Sequence, residues 1–285
     1  WLSEREAAAQ AAAKDTGINL TTQDANSDTS KMIQYIESSV TAGEDAIIIN
    51  MVDPETAAQC VEAAGDVPVV FVNRFPGDPS VLNEKAVYVG SDEMTSGAFQ
   101  GEFLAKFFKD QGKTDISYLM LNGILGQTST TNRTASVLKA LEDNGIKATA
   151  AAAPLAADYD RATAMDMISP LLKTTKYDCI ISNNDAMALG AVEAMQQQGL
   201  DPKSVPIVGI DATADGRQAI KDGTLAMTVF QNAEGQGRAS LQAAANLIDG
   251  KPIAEGTGYE VDDENEFIIW VPFEPVTIDN VADYD

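Results

Sequence analysis

Short runs of apolar residues alternate with helix-period segments along nearly all of the sequence. The runs are rich in Val and Ile, which is typical of parallel strands buried on both faces. Strands are predicted at residues 18–23, 46–50, 67–73, 86–91, 116–122, 146–152, 179–182, 206–211 and 226–231, with further apolar runs at 259–261 and 267–278. Helices are predicted at residues 3–14, 29–41, 54–65, 94–110, 130–143, 160–172 and 234–249. One further helix is predicted to begin at residue 186, and a separate short helix is predicted to end at residue 222.

This alternation predicts an α/β fold with right-handed crossovers between parallel strands. Because there are too many such units for one core, we expect two doubly wound parallel-sheet lobes joined by a multi-crossing hinge. The N-terminal lobe is expected to comprise residues 1–91 and 234–266, and the C-terminal lobe residues 93–232 and 270–285. No Gly/Ser-rich linker separates the halves, so the chain is expected to pass between the lobes more than once.

Composition excludes several functional classes. The 285 residues carry a formal net charge of −24, which opposes binding to nucleic acids and to anionic membranes. The absence of histidine excludes Ser-His-Asp and Cys-His catalysis and every His-ligated metal site. The two cysteines, Cys60 and Cys179, are predicted to lie in different lobes and to stay reduced.

The stretch at residues 177–195, Y-D-C-I-I-S-N-N-D-A-M-A-L-G-A-V-E-A-M, carries the strongest local signal. Its apolar strand ends at Asn183, Asn184 and Asp185, and a helix follows. In an open α/β sheet, ligands bind beyond the carboxyl ends of the strands. We interpret Asp185 chiefly as a helix cap and Asn184 as a candidate ligand contact.

Polar side chains end other predicted strands as well. Asn73, Asp211 and Gln231 each follow an apolar run, and Arg133 stands near a helix start after the loop G-I-L-G-Q-T-S-T-T. The amide donors, amide acceptors and carboxylate of the Asn-Asn-Asp segment suit a neutral polyhydroxylated ligand better than a phosphate. A guanidinium can bridge two hydroxyls, or a ring oxygen and a hydroxyl. Polar strand ends are also common turn formers, and Arg133 equally fits a surface ion pair.

Four motifs resemble segments of a known family: V-P-V-V-F-V-N, S-N-N-D-A-M-A-L-G-A-V-E-A-M, V-G-I-D-A and W-V-P-F. They resemble the type I periplasmic sugar-binding proteins of ABC transporters, in particular the glucose/galactose-binding branch of the pentose/hexose family. The resemblance implies a non-catalytic receptor that traps a monosaccharide between two lobes by hinge closure and delivers it to an ABC transporter permease. The sugar is expected to be a glucose/galactose-like hexose or a pentose.

The resemblance also assigns candidate ligand contacts. Trp1 and Tyr159 match aromatic residues that stack on the sugar ring. Polar contacts are matched by Asn73, Arg133, Asn184, Asp211 and Gln231. Gln127 and Ser129 stand where the glucose/galactose branch has a histidine and an aspartate, which leaves the identity of the sugar open. Two simpler roles are that Trp1 packs against the first helix turn and that Tyr159 is a surface residue.

Further expectations concern metals, partners and location. The segment K-D-Q-G-K-T-D at residues 109–115 is too short for the calcium loop of that branch, so no metal and no cofactor are expected. The expected partners are the permease and, as a second candidate, a chemoreceptor, with the protein itself a monomer. We expect a periplasmic or extracellular location, with or without a lipid anchor, and an export signal outside this sequence. The family also begins with a strand ahead of Trp1, which we expect to be truncated or supplied otherwise.

Two other functions stay open at this point. The first is a sugar-sensing ligand domain for chemotaxis or transcriptional regulation, although no basic DNA-binding headpiece is present. The second is a carbohydrate-active enzyme that uses two carboxylates, for which Asp185 and Asp211 are the candidates.

Overall fold

Most of the apolar runs form parallel strands in the computed structural model, which describes residues 2–284. The helices α1 to α9 of this part are Leu2–Thr16, Thr29–Ala42, Ala57–Ala64, Glu93–Lys109, Thr128–Asp143, Arg161–Ile168, Asp185–Gln197, Ala214–Asp222 and Ala233–Asp249. The strands β1 to β11 are Ile47–Ile49, Val69–Val72, Ala86–Gly90, Asp115–Asn122, Lys147–Ala150, Leu155–Ala156, Cys179–Ser182, Ile207–Val208, Thr228–Gln231, Ile268–Trp270 and Phe273–Val276. Among these described helices, none has the length and apolar character needed to cross a bilayer.

The chain separates into two α/β units. Unit 1 comprises Trp1–Ser91 and Asn232–Pro272, and unit 2 comprises Asp92–Gln231 and Phe273–Asp285. Each unit carries its own parallel sheet with helices on both faces, so the expected α/β class with doubly wound parallel sheets is confirmed.

Unit 1 is built on four parallel strands in the order β1-β2-β3-β10. Alternate side chains of the central strands point to opposite faces of the sheet. Phe71 and Tyr88 pack on the side of α2 with Met32. Val70 packs on the other side with Ala239 of α9. Because both faces are covered, every position of these strands is apolar, which is why the runs are continuous in the sequence.

Unit 2 carries a parallel sheet in the order β5-β4-β7-β8, with β6 also paired to β4. Strand β9 lies beside β8 through isolated parallel bridges, and β11 pairs with β9 in the antiparallel sense. Ile181 faces α4 and α5 and packs with Leu104, whereas Ile180 faces α6 and α7 and packs with Met187. The carboxyl ends of β4, β7, β8 and β9 therefore meet at one edge of unit 2.

Helices α4 and α5 of unit 2 approach each other closely at two glycines. A Cβ atom added to Gly101 would lie 2.5 Å from the carbonyl oxygen of Val137, inside any normal van der Waals contact. A Cβ atom added to Gly97 would collide with the carbonyl oxygen of Arg133. This close packing fixes the distance between the backbone of Arg133 on α5 and helix α4.

The strand predicted at residues 18–23 is not formed. Ile18 continues the end of α1 by donating its N–H to Ala13 at 2.9 Å, and Leu20 packs against Ala12 and Ala13. A strand needs a neighbour for its backbone N–H and C=O groups. Within the described residues β1 pairs with β2 alone, and residues 18–23 pair with no strand.

The apolar run predicted at residues 267–278 forms two strands rather than one. Strand β10 pairs with β3 of unit 1, and β11 pairs with β9 of unit 2, with Pro272 between them. Trp270, expected in the C-terminal lobe, is grouped with unit 1 because it pairs with Gly90 and stacks on Phe75 with ring centroids 6.0 Å apart.

Both cysteines are buried free thiols, Cys60 in unit 1 and Cys179 in unit 2. Burial raises the pKa of Cys60 to about 11, because the thiolate would lose its hydration. Burial also raises the pKa of Cys179 above its ordinary value. Neither thiol is therefore ionised near neutral pH, and both serve as small core residues.

Replacement of Gly101 by Val tests the close packing of α4 on α5. The added side chain has to push the helices apart, so we expect the free energy of unfolding to fall by about 1–3 kcal/mol. Urea denaturation measures this change. The control is Lys106→Val, which adds the same residue to α4 at a position whose side chain is 78% exposed. Equal losses in the two variants would contradict the role of Gly101.

Candidate functional site

Polar side chains gather at the carboxyl edge of the sheet in unit 2. They come from the residues that follow β7 and β8, from the start of α4 and from the second turn of α5. This edge is where ligands bind in open α/β sheets. This edge of unit 2 is the candidate site.

Arg133 is the centre of this group and is only 5% exposed. Its Nε donates to Oε2 of Glu93 at 2.7 Å and its Nη2 to Oε1 of the same carboxylate at 3.2 Å. Its Nη1 donates to the carbonyl oxygen of Asn183 at 2.8 Å and lies 3.9 Å from Oδ1 of Asp211. The side chain is thus part of the interior, and the alternative of a surface ion pair does not apply.

The charge of Arg133 is stabilised by two carboxylates. Burial acts to lower the pKa of the guanidinium, but the negative charges of Glu93 and Asp211 outweigh that effect, and the pKa is raised above its ordinary value. The group therefore stays charged. With Glu93 fixed on one side, the guanidinium presents its other side toward Asp211.

Glu93 is the functional candidate that the sequence analysis missed. It is the first residue of α4, directly after the N-cap Asp92, whose side chain accepts from Met94 N–H at 3.0 Å. An acidic residue in the first turn of a helix is ordinarily explained by its favourable interaction with the helix dipole. Nothing in the sequence indicates that it meets an arginine 40 residues away.

The Asn-Asn-Asp segment divides its roles differently from the expectation. Asn183 is fully buried, and its Oδ1 accepts from the N–H of Gly123 at 3.1 Å. Asn184 is the N-cap of α7, with Oδ1 accepting from Met187 N–H at 3.0 Å. The prediction that Asp185 caps the helix is therefore wrong, because Asn184 in an extended conformation already occupies that place.

Asp185 instead lies inside unit 2 with no exposed surface. Its Oδ2 accepts from the backbone N–H of Thr213 at 2.8 Å, and its Oδ1 accepts from the hydroxyl of Thr228 at 2.6 Å. Burial, and then the nearby charge of Asp211, raise the pKa of Asp185 to about 7, while the hydrogen bonds act to lower it. This is a strongly perturbed carboxyl directly beneath the candidate site.

Asp211 stands on a strained turn. Its φ is 115° and that of the following Ala212 is 47°, both in the region that favours glycine. Its backbone N–H donates to Val229 at 2.8 Å, which keeps it in register with β9. Gln231 ends β9, is 5% exposed and pairs with Phe273.

Tyr159 lies over the backbone of the loop that precedes α5. A Cβ atom on Gly123 would collide with its ring, so the glycine is what lets the ring lie flat there. Its hydroxyl lies 2.9 Å from Oγ of Ser129 and 2.8 Å from Oγ1 of Thr130. The ring is half-buried, so Tyr159 is not a plain surface residue. The Ser129 side chain is hydrogen-bonded to its hydroxyl. Gln127 at the N-cap position makes no side-chain cap bond.

The remaining predicted contacts belong to the other unit. Asn73 follows β2 with φ 69° and is half-buried, and its carbonyl oxygen accepts from the hydroxyl of Tyr88 at 2.7 Å. The next residue, Arg74, donates Nη1 to the carbonyl oxygens of Met51 at 2.8 Å and Val52 at 2.6 Å. Trp1 lies outside the described residues.

The structure thus brings Arg133 and Asp211 together in unit 2, and Ser129 together with Tyr159. Asn184 lies one residue from the carbonyl group that holds Arg133. Asn73 lies in unit 1.

Replacement of Glu93 by Gln tests whether this ion pair stabilises unit 2. Removing one charge of a buried pair leaves the other poorly compensated, so we expect the free energy of unfolding to fall by about 3 kcal/mol. The matched control is Glu102→Gln on the exposed face of the same helix. Urea denaturation of both variants decides the point, and an unchanged midpoint for Glu93→Gln would contradict it.

Comparison with known proteins adds the family. The model of the periplasmic binding protein domain matches residues 1–252. The D-galactose/methyl-galactoside binding periplasmic protein of Haemophilus influenzae is 35% identical over 283 residues, which covers 94% of this chain and 82% of that protein. The ribose import binding protein of Bacillus subtilis is 30% identical over 244 residues, which covers 85% and 75%.

A solved structure is similar over the whole chain. An ABC transporter solute binding protein from Bacillus halodurans C-125, with bound myo-inositol, matches with a TM-score of 0.80 at 29% identity and covers 99% of this chain and 92% of that one. Together with the domain match and the polar edge of unit 2, this similarity shows that the chain belongs to the periplasmic binding protein family.

Proposed function

We propose that this protein is an extracytoplasmic receptor that binds a monosaccharide and delivers it to an ABC transporter. The observation that carries the proposal is the pairing of Arg133 with Asp211 at the carboxyl edge of unit 2. Relatives named for galactose and for ribose, and a neighbour solved with myo-inositol, support a polyhydroxylated ring as the ligand class.

The chemistry of this edge suits such a ring. A guanidinium has five N–H donors, and the hydrogen bonds to Glu93 and Asn183 use three of them. We assign the remaining two, one of them on the Nη1 atom that lies 3.9 Å from Asp211, to a ring oxygen or hydroxyl, while Asp211 accepts from hydroxyl groups. The half-buried ring of Tyr159 offers an apolar face for the C–H groups of the sugar.

We assign further contacts to the same ligand. They are Trp1, Asn73, Gln127, Ser129, Asn184 and Gln231, each of which matches a contact position of the family resemblance. Asn184 uses Oδ1 to cap α7, so its amide N–H groups are the part of that side chain we assign to the sugar. Ser129 also holds the hydroxyl of Tyr159, which orients that ring.

The ligand is bound without chemical turnover in this proposal. A glycoside hydrolase needs two carboxyl groups that reach the glycosidic bond from either side. Asp185, one of the two candidates, has no exposed surface, and hydrogen bonds from Thr213 and Thr228 occupy its two oxygens. It cannot approach a substrate, so Asp185 and Asp211 cannot act as the two carboxyl groups of a hydrolase.

We further propose that the protein acts as a monomer in the periplasm or at the outer surface of the cell, free or attached by a lipid anchor. The ABC permease is its first partner, and a chemoreceptor is the second candidate.

A ligand screen tests the function. We expect one of D-galactose, D-glucose, D-ribose and myo-inositol to raise the melting temperature, since a ligand at about 100 times its Kd stabilises the folded state by about 2.7 kcal/mol. Calorimetry then gives the Kd, and chromatography of the recovered sugar reports turnover. A chemically altered sugar, or no stabilisation by any monosaccharide, would refute the receptor function.

Replacement of Asp211 by Ala tests the site. The change removes a hydroxyl acceptor and leaves Arg133 with less compensation, so we expect the binding free energy to weaken by about 2–4 kcal/mol. Calorimetry with the sugar found in the screen measures it. Asp166→Ala, an exposed position on α6 of the same unit, is the control and should bind like the wild type. Unchanged affinity in Asp211→Ala would remove that residue from the site.

A further inference from the structure

The turn that presents Asp211 needs an external support. Two successive non-glycine residues, Asp211 and Ala212, have φ values of 115° and 47°. Such conformations are sparsely populated and persist only where the surroundings hold them. The turn is also the part of unit 2 that we assign to the sugar.

The support is the buried carboxylate of Asp185. It accepts from the backbone N–H of Thr213 at 2.8 Å and from the hydroxyl of the same residue at 3.2 Å. It also accepts from the hydroxyl of Thr228 at 2.6 Å, and that oxygen in turn accepts from the N–H of Ala212 at 3.2 Å. The two amides after Asp211 are therefore fixed by Asp185, one directly and one through Thr228.

The carboxylate is tightly enclosed. A Cβ atom on Gly209 or on Gly216 would collide with one of its oxygens, so both positions leave space for the carboxylate alone. Its own backbone N–H donates to Ile210 at 2.7 Å, which ties α7 to the strand that leads into the turn. The side chain of Asp185 therefore cannot change its position unless the residues around Asp211 move as well.

Charged groups around Asp185 leave it near its point of titration. The charge that faces it is Asp211, which, after burial, helps to raise its pKa to about 7. Arg161 of α6 pairs instead with Glu193 of α7 at 2.6 Å and with Asp215 of α8 at 3.1 Å. Two other cations contact the turn: Arg217 of α8 donates Nη1 to the carbonyl oxygen of Ala212 at 2.6 Å, and Arg133 of α5 lies 3.9 Å from Oδ1 of Asp211. The contacts of the Asp185 carboxylate itself are the hydrogen bonds from Thr213 and Thr228.

We propose that Asp185 is a positioning residue, whose ionised carboxylate holds the Asp211–Thr213 turn in the conformation that binds the sugar, so that acidification weakens binding. A neutral carboxyl accepts hydrogen bonds more weakly than a carboxylate. In all three hydrogen bonds to the side chain of Asp185, the carboxylate is the acceptor. The inference rests on the proposed function, because it concerns how Asp211 meets the ligand.

Calorimetric titration at two pH values tests it. Between about pH 8 and about pH 5.5 we expect the wild-type Kd to rise about tenfold, which is the effect of weakening one or two charge-assisted hydrogen bonds. Asp185→Asn should bind at both pH values with the weak affinity of the acidified wild type. The control Asp166→Asn, at an exposed position, should follow the wild type. A variant Asp185→Asn that keeps the wild-type pH profile would overturn the proposal.

A second pair of variants separates positioning from folding. Thr228→Val removes the hydroxyl that links Ala212 to Asp185, and Thr228→Ser keeps it. We expect weaker binding at about pH 8 and a smaller pH dependence in the first variant, and wild-type behaviour in the second. Identical behaviour of the two variants would contradict the network, whatever the fate of Asp185→Asn.

A ligand-free measurement distinguishes this inference from the proposed function. In the protein without sugar, the NMR amide signals of Ala212 and Thr213 should shift between about pH 5.5 and about pH 8 in the wild type, but not in Asp185→Asn. If these amides titrate and no sugar binds at any pH, the receptor function is wrong and the support of the turn is upheld. If sugar binds and the amides do not titrate, the support is wrong and the receptor function stands.

Discussion

The buried charge of Arg133 is the constraint on which the polar edge of unit 2 depends. A guanidinium taken out of water destabilises the fold unless carboxylates and carbonyl oxygens surround it. Glu93 comes from the start of α4, Asn183 from the end of β7 and Asp211 from the turn after β8. These separate elements have to be in register at once, and the close approach of α4 to α5 at Gly97 sets the height at which they meet.

The same edge contains a conflict between stability and ligand binding. The pKa of Asp185 in the folded protein is about 7, well above its ordinary value of 3.8, so the fold binds this proton more tightly than the unfolded chain does. Its contribution to stability is therefore greatest in acid and is lost as the pH rises from about 4 to about 7. In our proposal the ligand needs the ionised form, so unit 2 gives up stability near neutral pH in order to hold the Asp211 turn.

The sequence predicts the sheets well because their strands are buried on both faces. A short, continuous apolar run such as V-V-F-V is typical of a strand of this kind. It fails at residues 18–23, where an apolar pattern is present but no pairing with another strand is formed among the described residues. Hydrophobic pattern reports what a segment can bury, whereas strand formation also depends on a partner that the local sequence does not contain.

The sequence predicts ligand contacts at the carboxyl ends of parallel strands, and the structure brings some of those residues together in unit 2. Strand-end logic points to Asn184 and Asp211, because parallel strands end at a common edge, whereas Arg133 is indicated by its position after the loop that leads into α5. It does not find Glu93, because an acidic residue in the first turn of a helix is already explained by its interaction with the helix dipole. It also assigns the cap of α7 to Asp185 instead of Asn184, since any short polar side chain in that segment can accept from a helix N–H. Only the fold decides which of them faces inward.

The order of strands has a consequence for synthesis. The sheet of unit 1 receives its last strand from Ile268–Trp270, and β9 of unit 2 receives its partner from Phe273–Val276. Both segments lie beyond residue 267. The chain up to that residue is therefore synthesised before either sheet can be completed, and until then the edges of β3 and β9 lack these partner strands and are open to wrong pairing.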